Sequence, residues 1–219
     1  MQATLVISAR LNNIDMDPSQ KLIKIFSEFP GIGPKQAKRF VYFLLTRPRG
    51  YVEEISKLFA DLKRQTKICS ECFRYFNSET DEKICKICGN KNRDISELLV
   101  VSRDVDFENV ERSGGYKGRY FVVGGTIPIL DKEPEHRIRI KELLAHAEKM
   151  SQNGLKEIIL GLDANTEGEY TEEYIKRTLT PLATKFALKI TTLGRGLSTG
   201  TELEYSDSDT IKSAIGNRK

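Results

Sequence analysis

Apolar residues recur along this chain with two different periods, and the change of period divides it. Leu22, Ile23, Ile25 and Phe26 share a helical face after Asp17-Pro18. There Asp17 can cap free amides, and Pro18 occupies a first-turn position where its missing N–H costs nothing. Phe29-Pro30-Gly31-Ile32-Gly33-Pro34 crowds two glycines and two prolines into a short span, so no helix continues through it. A second helix is expected from Pro34, with Ala37, Phe40, Val41, Leu44 and Leu45 as its buried stripe. Lys35, Lys38 and Arg39 lie off that stripe, and the whole reads as a helix-hairpin-helix pattern. Arg47-Pro48-Arg49-Gly50 reads as a turn. A third helix follows over residues 52–62, with Ile55, Leu58, Phe59 and Leu62 at helical spacing.

Past residue 95 the apolar residues gather into short continuous runs instead. Residues 98–101, 120–123, 157–160 and 188–191 read as buried strands. Helical patterns near 135–152 and 169–186 separate the later ones, which is the wiring of a parallel sheet. In such a sheet ligands meet the carboxyl ends of the strands. Those ends carry Ser102-Arg103-Asp104 after the first strand and Asp163 to Glu169 after the third.

Between the two patterns lie the only cysteines, Cys69-x2-Cys72 and Cys85-x2-Cys88, separated by twelve residues. Two such knuckles supply the four soft ligands of a closed tetrahedral zinc site, so one structural zinc ion is expected per chain. Tyr75 to Glu79 is polar enough to loop out between the knuckles, and Gly89 suits a left-handed turn after the second. Disulfides would require an oxidising compartment, and Leu5-Val6-Ile7 is too short an apolar run for a secretory or membrane-spanning segment. The cysteines therefore place the chain in a reducing cytoplasm, with no membrane partner.

Charge sharpens the division. Residues 1–66 hold eleven Lys and Arg against six Asp and Glu, whereas residues 95–219 hold eighteen against twenty. Positive charge concentrates before the cysteines and points to a polyanionic partner for that part. In the hairpin, Gly31 and Gly33 let the backbone approach a phosphate, and the amides opening the next helix point toward it. Lys35 and Arg39, one turn apart, would flank the same path. Taken alone, Gly-x-Gly between helices fits an ordinary turn equally well; the Pro-Gly-Ile-Gly-Pro-Lys setting favours DNA, bound without regard to sequence.

Taken together, these pieces resemble one family, the bacterial recombination mediator RecR. The resemblance rests on Phe29 to Lys35, the four cysteines, Gly118-Arg119-Tyr120-Phe121-Val122 and Thr166-Glu167-Gly168-Glu169-Tyr170-Thr171. Arg195-Gly196-Leu197 and Glu202-Leu203-Glu204-Tyr205 extend it toward the C-terminus. It implies an α+β multidomain chain: an arm and helix-hairpin-helix module over 1–66, a four-cysteine zinc finger over 67–94, an α/β Toprim domain with a mainly parallel sheet over 95–193, and a C-terminal Walker-B-like loop and helix over 194–219. The Walker-B-like element is approximated by Glu202 to Asp207, for which an exposed loop and helix cap is an equal reading. The first sixteen residues have no clear pattern and read as a loosely docked arm.

The resemblance further implies a non-enzymatic DNA clamp of recombinational repair. Such a protein is a dimer or tetrameric ring, is cytoplasmic and nucleoid-associated, and works with RecO, RecF or both to load RecA on single-stranded DNA. Catalytic Toprim chains place a Glu after the first strand and Asp-x-Asp after the third to hold Mg2+. Here Ser102 and Asp163-Ala164-Asn165 stand in those places. Asp163, Asn165, Glu167 and Glu169 are then expected to contact a partner or another subunit, with weak Mg2+ binding as an alternative. A Mg2+-dependent nuclease or primase-like enzyme is the competing reading, and an RNA-binding zinc protein a third. His136 and His146 read as surface residues of a charged helix.

Overall fold

The computed structural model describes residues 17–78, 80–194, 196–197, 200, 202–206 and 208–216. The expected N-terminal arm, Arg195 and Asp207 lie outside the described residues. Two compact units make up the chain, Met1–Arg64 and Gln65–Lys219.

In the first unit, α1 (Pro18–Phe26) is capped by Asp17, whose carboxylate accepts from the amides of Ser19 and Gln20 at 2.7 and 3.2 Å. It packs on α2 (Pro34–Leu45), with the Phe26 ring edge-on to Phe29 and Phe40. Of the expected α2 stripe, Ala37 and Val41 are buried and Leu44 is partly covered, but Phe40 and Leu45 are exposed. The next helix, α3 (Arg49–Gln65), begins earlier than residue 52, supported by an Arg49–Glu53 ion pair one turn apart. Its Leu58, Phe59 and Leu62 are more than half exposed.

The second unit opens with an antiparallel pair, β1 (Thr66–Ile68) and β2 (Tyr75–Asn77). The expectation that residues 75–79 loop out is thus corrected for Tyr75 to Asn77; Ser78 follows the strand without regular structure, and Glu79 lies outside the described residues. Phe76 turns inward against Cys69, Cys72 and Cys85, and burying that ring fixes its neighbours as a strand. A single helical turn, α4 (Lys86–Gly89), carries the second knuckle. Gly89 is not left-handed; the positive φ of this module belongs to Phe73, at 59°.

Then come β3 (Glu97–Val101), α5 (Asp104–Ser113), β4 (Arg119–Val122), α6 (Ile140–Ser151), β5 (Glu157–Gly161), α7 (Thr166–Phe186) and β6 (Lys189–Thr192). Gly114, at φ 69°, closes α5, so the Gly114 to Gly118 run is a helix-to-strand turn. All four strands are parallel in the order β4-β3-β5-β6, which makes a mixed α+β fold with a wholly parallel second sheet. Strand β3 alternates strictly. Leu98 and Val100 join one core with Leu143 of α6 and Ile175 and Leu179 of α7, while Leu99 and Val101 join a second core with Phe107 of α5.

Helix α6 starts five residues later than the pattern suggests. Residues 138–140 first run beside the end of β4, where the Arg139 amide donates to the Val123 carbonyl and Ile138 and Ile140 are buried. Beyond β6, a short 3-10 turn (Leu203–Tyr205) precedes α8 (Ser208–Gly216). Among the described residues no helix is long and apolar enough to cross a membrane.

Candidate nucleic-acid interface and metal centre

The turn between α1 and α2 depends on Gly31, whose φ of 76° is a left-handed value that a Cβ would strain. Gly33 is extended and forms the N-cap of α2, where no side chain caps the helix. The contrast with α1 is chemical: Asp17 fills the entrance of α1 with a carboxylate, whereas the positive end of α2 is left open to an outside anion. Lys35, Lys38 and Arg39 all project from α2 on the side away from Ala37 and Val41. Among the described residues no carboxylate pairs with any of these three cations, and the Arg39 guanidinium meets only the Gln36 amide, at 3.5 Å.

Cys69, Cys72, Cys85 and Cys88 converge from the two knuckles, with all four Sγ atoms within 4.8 Å of one another. The Cys72 and Cys85 sulfurs are 3.7 Å apart, and the Cys85 amide donates to Cys69 Sγ at 3.3 Å. Hydrogen bonding from Cys72 first, then from Cys85 and Cys88, holds the Cys69 thiol far below its ordinary pKa, while the same contact pushes Cys72 up. Four sulfurs so close, mostly buried, form a cage for one soft cation. Its walls are tied to the sheet. The Val122 amide donates to the Cys72 carbonyl at 2.8 Å, and the Arg119 guanidinium donates to the carbonyls of Ile87, Cys88 and Asn90.

At the carboxyl ends of β3 and β5 the acidic side chains have structural partners. Asn165 caps α7 by accepting from the Gly168 amide at 2.8 Å. Asp106 accepts from the Arg103 amide, and burial first, then the charge of Asp163, pushes its carboxyl above the usual range. Asp104 accepts from the Tyr75 amide at 2.7 Å, Asp163 lies 3.9 Å from Arg103, and Glu167 accepts from the Thr126 hydroxyl. Among the described residues the four cysteines are the sole group of three or more potential metal ligands gathered this closely. Ser102 is fully buried, and its hydroxyl has no hydrogen-bond partner.

A family model described as "RecR, helix-hairpin-helix" matches residues 19–62, and one described as "Toprim domain" matches residues 96–193. The chain is 37% identical to the "Recombination protein RecR" of Herpetosiphon aurantiacus over 209 residues, 95% of this chain and 97% of that protein. The chain belongs to the RecR family. Two further RecR proteins agree: that of Dehalococcoides mccartyi strain 195 is 36% identical over 91% of this chain and 92% of its own length, and that of Prochlorococcus marinus is 36% identical over 92% and 95%.

Within the RecR family frame, several contacts could not be read from the chain alone. His146, expected at the surface, is instead nearly buried: its ring packs on Phe121, and Nδ1 lies 3.4 Å from Glu71 between the cysteine ligands. Burial pushes its pKa down. His146 and Glu71 share with Arg119 and Cys88 the lining of a cavity of about 210 Å³. His136 is exposed. Thr171, within the RecR-like run at 166–171, is buried and accepts from the Ile127 amide at 2.8 Å, so it pins the loop after β4. On α2, Tyr42, Phe43 and Thr46 continue the line of Lys35, Lys38 and Arg39. The spacing i, i+3, i+4, i+7, i+8, i+11 was the available signal for them.

Proposed function

We propose that this chain is a non-enzymatic DNA clamp of recombinational repair, which binds DNA through Gly31, Gly33, Lys35, Lys38 and Arg39. It works with RecO, RecF or both to help load RecA on single-stranded DNA. Membership of the RecR family supports the process, and the open, unpaired basic face of α2 is the observation that carries the DNA contact. Phosphates held by backbone amides and flexible cations carry no base information, so binding is indifferent to sequence and weakens steeply with salt.

The metal is zinc, one structural ion per chain. Tetrahedral Zn–S bonds of about 2.3 Å place sulfurs roughly 3.8 Å apart, close to the Cys72–Cys85 separation of 3.7 Å. The boundaries 1–66, 67–94, 95–193 and 194–219 mark the DNA-binding module, the zinc finger, the Toprim domain and the C-terminal segment. Asp163, Asn165, Glu167 and Glu169 serve as a partner-facing surface rather than a reaction centre. A buried Ser102 cannot shuttle a proton, and Asn165 replaces a carboxylate with an amide already engaged in capping. Both features count against the Mg2+-dependent enzyme. The clamp acts in the cytoplasm as a homo-oligomer, a dimer or a tetrameric ring. The exposed Leu58, Phe59 and Leu62 stripe supports self-association, because a solvated apolar helix face of this extent gains stability when covered.

The test is the Lys35→Glu/Arg39→Glu pair. Its affinity for DNA at low salt should fall by at least about tenfold while zinc content and helicity stay unchanged. Unaltered affinity would remove the hairpin assignment.

A further inference from the structure

Helix α2 carries more than phosphate ligands. Lys35, Lys38, Arg39, Tyr42, Phe43 and Thr46 line one open groove of about 520 Å³ along the side opposite the buried Ala37 and Val41. Tyr42 is 57% exposed, and the Lys38 ammonium lies 5.8 Å from its ring centroid. Phe43 is the next ring: the Arg47 guanidinium sits 4.1 Å over it, and Tyr51 meets it edge-on at 6.4 Å. A stripe that only needed to neutralise phosphates would gain nothing from two exposed aromatic rings among its cations.

We infer that this groove is a stacking platform for single-stranded DNA, in which the Tyr42 ring takes an unpaired base while Lys35, Lys38 and Arg39 hold the flanking phosphates. The inference rests on the DNA-binding reading above and adds the form of the nucleic acid and the residue that selects it. In a duplex the base faces are already covered by their neighbours, so Tyr42 has no partner there and only the cations act. In a single strand the π-faces are free, and stacking on an aromatic ring adds to phosphate binding whatever the base. The Arg47 guanidinium lies 4.1 Å over the Phe43 face, whereas the Lys38 ammonium stands farther off Tyr42, at 5.8 Å, and Tyr42 is the more exposed of the two, so it is the ring with more surface to offer. A second copy of the chain is a poorer occupant. A self-complementary contact on this stripe would set Lys35, Lys38 and Arg39 of both copies against one another.

The experiment uses the full chain with three ligands at one salt concentration: a labelled oligothymidylate, the same strand carrying abasic sites, and a duplex of equal length. Wild type should bind the oligothymidylate about tenfold more tightly than the abasic strand. Tyr42→Ala should abolish that ratio and leave duplex binding unchanged, and Tyr42→Phe should restore the ratio. A wild-type ratio near unity, or equal losses of all three ligands in Tyr42→Ala, would overturn the platform. So would a lower sedimentation mass for Tyr42→Ala, which would assign the groove to a second copy. The Lys35→Glu/Arg39→Glu pair separates the two readings. If it binds all three ligands normally, the hairpin assignment itself fails; if it loses them while Tyr42→Ala behaves as wild type, the stacking inference alone fails.

Discussion

The backbone at Gly168 passes so close to the β5–α7 loop that a Cβ there would lie 2.0 Å from the Asp163 carbonyl oxygen. This glycine stands among acidic residues that look like chemistry, yet its own requirement is steric. The Asn165 cap needs the Gly168 amide, and the loop folds over it. Gly168→Ala should therefore destabilise the protein by about 3 kcal/mol, read as a lower denaturation midpoint, although the substitution is conservative and α7 would welcome alanine elsewhere. Ser102 shows the same logic from the other side. Its hydroxyl, at the end of β3, is fully buried without a partner, surroundings in which an ionised acid would be strongly disfavoured.

Elements in the second unit are joined by charged side chains that reach across them. Arg93, between the cysteine module and β3, donates to both carboxylate oxygens of Glu111 on α5 at 2.7 and 3.0 Å and to the Gly118 carbonyl ahead of β4. The Tyr120 hydroxyl donates to the same carboxylate. The Arg93 guanidinium thereby holds the Glu111 carboxyl below its ordinary value of 4.5. In the unfolded chain that carboxyl takes up a proton at higher pH than in the folded one. The contribution to stability is thus full above the ordinary carboxylate pKa and is lost as pH falls through the lower folded value. Denaturation midpoints measured between about pH 6 and about pH 3 should fall more steeply for wild type than for Glu111→Gln. At neutral pH the variant should be less stable by about 2 kcal/mol, since it leaves a nearly buried guanidinium without its counter-charge. Equal slopes would show that the pair contributes nothing to acid sensitivity.

At the scale of the whole molecule, the apolar stripe of α3 is what self-association would use. Leu58→Glu/Leu62→Glu should lower the sedimentation mass toward that of one chain of 24.9 kDa while zinc content is retained; an unchanged mass would move the interface elsewhere. The sequence by itself determined the hairpin, the cysteine cage and the strand-helix order, because each is set by neighbours: a turn by Gly31 and its prolines, a cage by two C-x2-C spacings, a strand by a short apolar run. Even there, Tyr75 to Asn77 of the expected polar loop became β2, since Phe76 found a core that local composition does not reveal. Tertiary structure alone decided that His146 packs beside the cysteine module, that Ser102 is sealed, that Asn165 is spent on a cap, and that Phe40 and Leu45 remain uncovered. Those outcomes depend on which distant segment arrives at each side chain. Periodicity states which face a residue occupies, whereas burial and pairing are set only when the opposite face is in place.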